Sequence, residues 1–349
     1  MRHVIGSTVL RRSSLQFVGA VLMLSGGTPV RSIEAAEEPL TKIRLALPPE
    51  AASPTRASLK QFKVEVERRR NNRVQLELLT MSEAGRLGTP PEMSASLLSS
   101  HTDVIPALGL FSLPFSFRQP EIAAAAMAPR GLMRRGIDGM ILAATGLHVL
   151  FWIPLSPEVF VSKNASLVGP GSLAGKRVGT LSRSVADFIA LCGGEPVYSK
   201  TSNSATFQEQ GLDGVSASPE IIVTNSLWTA FHEVTLTRHA VDAWVISITE
   251  KRWHELPEDL RLDLDNAAAL AEERERGEVG RAEAQALGEM AKHKMNIVEL
   301  RAGELDEWKS CASAMFESYD KAAGDMGASM LKAYRRLFTT MSGSPSIGQ

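Results

Sequence analysis

The sequence predicts an α/β protein of two domains, each a sheet flanked by helices, and three observations carry that prediction. Leu173 to Val215 reads as strand, helix, strand, short helix, strand, and strands alternating with helices build parallel sheets whose ligands sit at the carboxyl ends of the strands. Ile43 to Leu79 repeats the pattern as a second βαβ unit. The chain has 349 residues, 44% of them hydrophobic and 22% charged, which is long enough to bury two sizeable cores.

The net charge of −1 argues against a nucleic-acid binder. The largest basic block, Arg68-Arg69-Arg70, reads as the solvated end of a helix. Cys192 and Cys311 are too few for a disulfide scaffold or a zinc site. Both lie on helical patterns as small apolar residues, which reads as two buried thiols, with one long-range disulfide as the alternative. At the amino terminus, Arg2, Arg11 and Arg12 precede Phe17-Val-Gly-Ala-Val-Leu-Met-Leu, a run too short to span a bilayer and right for a signal-peptide core. Residues 1–36 are therefore expected to be a signal peptide cleaved near Ala35-Ala36, and export to the periplasm is expected with it. Removal takes four Lys/Arg and one Asp/Glu, leaving 34 against 38 and a net charge of −4.

In chain order, Ile43-Arg-Leu-Ala-Leu alternates as a strand, Ser53-Pro54 starts a helix whose face is Leu59, Phe62 and Val66, and Val74-Gln-Leu-Glu-Leu alternates again. A helix is expected over about Pro91 to Leu98, then a short strand at Asp103-Val-Ile. Pro120 to Gly146 reads as two helices interrupted at Gly136. Leu147 to Ile153 is a buried strand ending at Pro154, with His148 a core histidine. Ser182 or Ser184 caps a helix carrying Val185, Phe188, Ile189 and Cys192 and stopped by Gly193. Pro196-Val-Tyr is the next strand, a short helix ends near Gln210, and Gly211-Leu-Asp-Gly-Val turns into a further strand. Ser218-Pro219-Glu220 starts a helix expected to reach about His232. Asp242-Ala-Trp-Val-Ile-Ser-Ile is a strand. Leu256-Pro257 opens a very long helix whose charged middle, Glu272-Glu-Arg-Glu-Arg-Gly-Glu, is expected to cross open solvent. Asn296-Ile-Val-Glu-Leu and helices through Phe338 close the chain.

Leu173-Ala-Gly-Lys-Arg-Val, then Gly193-Gly-Glu-Pro-Val and Gly211-Leu-Asp-Gly, in that order and spacing, resemble the solute-binding proteins of TRAP (tripartite ATP-independent periplasmic) transporters. Leu87-Gly88, Leu113-Pro-Phe-Ser-Phe117 and a long helix after Trp253-x-x-Leu-Pro match the same family, so the resemblance covers about residues 40 to 340. It implies a two-lobed periplasmic-binding-protein-like fold, each lobe a mixed sheet flanked by helices, with lobe I formed by 40–157 plus about 242–285, lobe II by 158–241 plus about 286–340, a long helix spanning both, and a flexible tail at 341–349. It implies a monomer that traps a small organic solute between its lobes by hinge closure and delivers it to a TRAP-type membrane permease, with no cofactor.

The resemblance also implies where a ligand carboxylate binds, because a guanidinium forks onto both of its oxygens. At the two positions where the family places arginines, this chain has Gly179 and Pro157 or Glu158. Arg177 falls on the family's lysine position. Arg183 is the nearest replacement cation, with Thr180 between it and Gly179, and its alternative is an exposed first-turn arginine without function. Glu158 in place of a cation would suit an amine or polyol, against the plainer reading of a surface ion pair. Ser218 takes the family's polar position after the Asp213-Gly214 turn. Trp152, Trp244, Phe115 and Phe117 are candidates to wall or stack a ligand, with core packing as the alternative for each. Gly-x-Ser-x-Gly, His-Glu-x-x-His, a phosphate loop and a Cys-His pair are all absent, so the expectation is a binding protein and not an enzyme. Ligand sensing or protein interaction is the rival function, and a periplasmic hydrolase is the third.

Overall fold

The computed structural model describes residues 40–47, 53–118, 120–129, 131–199 and 211–342. The expected signal peptide, the short helix ending near Gln210 and the tail from 343 onward lie outside these residues.

Strand β1 (Thr41–Leu47) buries Ile43, Leu45 and Leu47. They meet Leu59, Phe62 and Val66 of the helix Ser53–Arg69 in one core, so two periodicities supply the two faces of one layer contact. Parallel β2 (Val74–Thr80) follows in register, Thr41 opposite Val74. The next apolar residues fall as Met93, Ala95 and Leu97, all buried, with Ser94 and Ser96 between them. That period of two makes Met93–Leu97 a strand, β3, paired parallel to β1 and antiparallel to a later strand, where the sequence suggested a helix. Pairing on both edges outweighs local preference. The strand expected at Asp103-Val-Ile is instead a turn, with Val104 exposed.

Two helices follow, Pro120–Ala126 and Leu132–Thr145. The break falls beside Pro129 and not at Gly136, which sits inside the second helix. Proline drives the residue before it out of the helical region and offers no N–H. Strand β4 (Leu147–Pro154) completes the near half of the first sheet. The chain then crosses to β5 (Val159–Ser162), β6 (Arg177–Thr180), β7 (Glu195–Tyr198) and β8 (Gly214–Ala217) of the second sheet. Ser182 caps the helix Arg183–Leu191 by accepting from Val185 N–H.

The helix opened by Ser218 is shorter than expected, Pro219–Thr224. A 3-10 turn at Leu227–Thr229 leads to β9 (Glu233–Leu236), a strand absent from the sequence reading. Its Val-Thr-Leu run is buried throughout, and an apolar run that short has no distinguishing period. The chain returns as β10 (Ala243–Thr249), antiparallel between β3 and β4. The long helix is two, Glu258–Arg276 and Val279–Lys292, parted at Gly277. Its charged middle does not cross open solvent: Glu272 is buried and bonded to Arg134, and Glu275 accepts from Ser58. Strand β11 (Asn296–Glu299) and the helices Ala302–Ala312 and Ala314–Ser342 finish the chain. The last helix packs on Pro106–Ser112 and Pro120–Ala126.

The two sheets have strand orders β2-β1-β3-β10-β4 and β11-β9-β5-β8-β6-β7. Cys192 and Cys311 form a disulfide, with Cα atoms 5.9 Å apart, in place of the two thiols expected. The pair joins the end of the helix Arg183–Leu191 to the helix Ala302–Ala312, a contact between elements 119 residues apart that sequence spacing does not reveal.

Candidate functional site

The sheets exchange strands at two segments, Leu155 to Glu158 on the way out and Thr237 to Asp242 on the way back. They are zipped together: Leu155 N–H donates to Asp242 C=O at 3.0 Å, Glu158 N–H to Ala240 C=O at 2.8 Å, and His239 N–H to Glu158 C=O at 3.2 Å. A paired two-strand crossing of this kind concentrates any motion between the sheets into a few backbone angles.

Three carboxylates are buried around the crossing, and each is met by a serine hydroxyl, with Ser218 a second one near Glu220. Ser99 Oγ donates to Asp242 at 2.5 Å, Ser216 Oγ donates to Glu158 at 2.5 Å, and Ser156 donates to Glu220 through both its hydroxyl and its N–H. Burial pushes Glu158 up to about 7, with the Ser216 bond opposing and the Asp242 charge adding to the rise. Burial likewise raises Asp242 to about 6 against its hydrogen bonds, and it raises Glu220. Low dielectric penalises the charged form of each.

Ser216 and His239 stand at the 2.9 Å separation of a nucleophile and base, but the protons run the wrong way. With the hydroxyl proton of Ser216 assigned to the 2.5 Å contact with Glu158, His239 Nε2 donates to Ser216 and its Nδ1 accepts from Thr237 at 2.7 Å. Burial holds the imidazole neutral, its pKa down at about 3. The ring is sealed, stacked on Phe160 with centroids 4.5 Å apart. The chain of donors points at Glu158 and holds its carboxyl in place. Among the described residues no three His, Cys, Asp or Glu side chains converge to hold a metal.

Beside the crossing lies a cavity of about 350 Å³, bounded among others by Thr55 and Ser58 of the helix Ser53–Arg69, Leu155, Glu220, and Arg274 and Glu275. Its walls come from both sheets' helices.

Of the residues singled out in the sequence, Glu158 and Ser218 belong to this region. Ser218 is buried, and its hydroxyl accepts from Ile221 N–H at 3.4 Å, two residues before Glu220. Gly179 is buried in β6, opposite Val215 of β8 and Val197 of β7, so β8 separates it from Glu158. Thr180 is buried and accepts from Ser182 N–H at 3.2 Å. Arg183 is exposed elsewhere, its guanidinium 4.5 Å over the Tyr198 ring and 3.5 Å from Asp103. Arg177 is exposed at the Asp213 turn. The aromatics pack. Trp152 lies under Arg134 and donates to Asp138 at 3.1 Å; Phe117 stacks on Phe111; Phe115 meets the edge of Phe188; and Trp244 is buried in β10 between β3 and β4. His148, expected in the core, is half-buried and stacked on Trp253.

Glu220, Asp242, His239 and the serines escaped sequence reasoning, which took Glu220 for a helix-start acid. A signal existed: Glu220 is the only charged residue between Val215 and Phe231, and a lone acid in an apolar stretch is one the fold must accommodate.

The family model of the bacterial extracellular solute-binding proteins, family 7 (DctP), matches residues 48–322. No curated protein matches the chain. Solved structures share the fold at low identity. A TRAP periplasmic solute-binding protein from Sulfurospirillum deleyianum with bound succinate is 18% identical with a TM-score of 0.76, over 86% of this chain and 100% of that one. DctP7 of Bordetella pertussis, an extracytoplasmic solute receptor binding pyroglutamic acid, is 20% identical with a TM-score of 0.75, over 84% and 99%. A TRAP protein from Haemophilus influenzae with bound L-gulonate is 18% identical with a TM-score of 0.76, over 85% and 99%. With the family model running through both sheets and both crossings, the chain belongs to the DctP family of bacterial extracellular solute-binding proteins.

Proposed function

We propose that this solute-binding protein works outside the cytoplasm as the monomeric receptor of a TRAP-type transporter, closing two lobes over a small organic solute and handing it to membrane permease subunits. The lobes are 40–157 with about 242–285, and 158–241 with about 286–340. The observation that carries this reading is the zipped double crossing beside a two-walled cavity: rigid sheets on either side and few rotatable angles between them are what closure requires. The solute's preference for the closed form supplies the bias. The disulfide favours an oxidising compartment, in keeping with the signal peptide read in residues 1–36. The solute contacts are assigned to the crossing and its cavity, with Glu158 and Ser218 from the sequence candidates.

Small-angle scattering of the mature chain tests the closure. Addition of a solute that binds by calorimetry is expected to lower the radius of gyration. A bound solute that leaves the scattering curve unchanged would overturn hinge closure and favour the sensing or interaction role.

A further inference from the structure

The carboxylate of Glu220 is only 5% exposed. One oxygen is held by Ser156, the Ser218 hydroxyl lies near enough to oppose the rise in its pKa, and Oε2 is buried without a hydrogen bond among the described residues. Its side chain lines the cavity of about 350 Å³, a volume suited to a small solute. The charges around the same cavity are Glu275, Glu278, Arg274 and Arg281. Arg281 is paired with Glu278 at 2.9 Å, and Arg274 donates to Gln61 at 3.2 Å. That leaves Glu220 and Glu275 as two carboxylates with no cationic partner among the described residues. Among the described residues Glu275 accepts from Ser58, and its pKa is raised by burial and then by the Glu278 charge. A buried carboxylate with an unmade hydrogen bond is costly unless a donor arrives, and a donor that is also a cation satisfies both the lone pairs and the charge.

We propose that the solute carries a protonated nitrogen, an amine or guanidine group, which enters this cavity and is held between Glu220 and Glu275. The Ser58 and Thr55 hydroxyls are further polar contacts, and Arg274, next to Glu275 on the same helix and also lining the cavity, is the cation available to an acid group elsewhere on the solute. The inference rests on the solute-receptor reading and narrows it, since an uncompensated acidic pair repels a purely anionic ligand. The neighbouring acids Glu158 and Asp242, buried at the crossing, bring no cation among the described residues.

The test is calorimetry and thermal shift on the mature chain with two panels, putrescine, agmatine and L-lysine against succinate and gluconate. At least one member of the first panel is expected to bind and to raise the melting temperature. Glu220→Gln and Glu275→Gln should each weaken that binding about tenfold or more. Glu220→Gln should leave the melting temperature of the unliganded protein the same or higher, because it removes a buried charge. Binding of the carboxylates alone overturns the cationic solute and leaves the receptor reading intact. Amine binding that survives both substitutions overturns the assignment to this cavity. Binding by neither panel also removes the inference, while closure is judged separately by scattering.

Discussion

Two clusters of buried charge in this molecule are built on opposite principles. In the first lobe, Arg134 is buried with its Nε 2.9 Å from both oxygens of Asp138, its Nη1 on Glu272, and its plane 4.3 Å over Trp152. One cation serves two carboxylates and an aromatic face. At the crossing, Glu158, Glu220 and Asp242 have hydroxyls, backbone N–H groups and a neutral histidine ring nearby, and no cation among the described residues. The first cluster is electrostatically closed and ties helix Leu132–Thr145 to β4 and helix Glu258–Arg276. The second is electrostatically open, and it sits where the sheets exchange strands. A buried acidic group left without a cation between two sheets is a place that a ligand can complete.

The largest effect should come from breaking the closed cluster. Arg134→Met leaves Glu272 buried and Asp138 half-buried without their cation, and losing one member of a buried pair costs about 3–5 kcal/mol. Denaturant unfolding should show that loss. Adding Asp138→Asn and Glu272→Gln to the same chain should recover part of it, since the uncompensated charges are then gone. A loss below about 1 kcal/mol would mean that the cluster is no more closed than the crossing.

The open cluster should respond to pH instead. Glu158 keeps its proton up to about 7 in the folded protein against an ordinary 4.5. Its contribution to stability is therefore full below 4.5 and is lost as pH rises through 7. Glutamine mimics the protonated acid at every pH. The stability of Glu158→Gln relative to the parent should thus climb by about 3 kcal/mol between pH 4.5 and 8. His239, whose pKa is lowered to about 3, acts in the opposite sense as pH falls from 6.5, but it is common to both proteins and cancels in the difference. A flat difference across that range would mean that Glu158 is already compensated.

The sequence made the closed parts of the fold legible and left the open ones hidden. Ile43 and Leu45 announce their strand by a period of two, and Leu59, Phe62 and Val66 announce their helix by a helical period, each set on one face. The stretch from Arg177 to Tyr198 announces itself by Gly193, in the left-handed region at φ 85°, and by the Ser182 cap. Strands β3 and β9 are hidden because each is defined by neighbours that arrive from distant sequence. The same holds for the site. Glu158 stands out by the family position it occupies, but its partners Ser216, Thr237 and His239 come from other strands and loops, and none carries a motif. Nor does anything local separate a helix-start acid such as Glu83, exposed and bonded to Thr80, from Glu220.

Arg183 supplies the smallest and sharpest contrast, because from sequence it is the best replacement for the cations missing at Gly179 and Glu158. In the fold it is exposed, 3.5 Å from Asp103 and stacked on Tyr198, and it lines a different cavity, with Thr102, Gly109 and Tyr319. An exposed ion pair contributes about 0.2–1 kcal/mol and an exposed cation–π contact a similar amount. Arg183→Ala should therefore lower stability by no more than about 1–2 kcal/mol and leave amine affinity within about twofold, as read by calorimetry. If a carboxylate solute binds and Arg183→Ala abolishes it, the missing cation has been moved outside the acidic crossing. The open cluster would then be a hinge device and not the solute's seat.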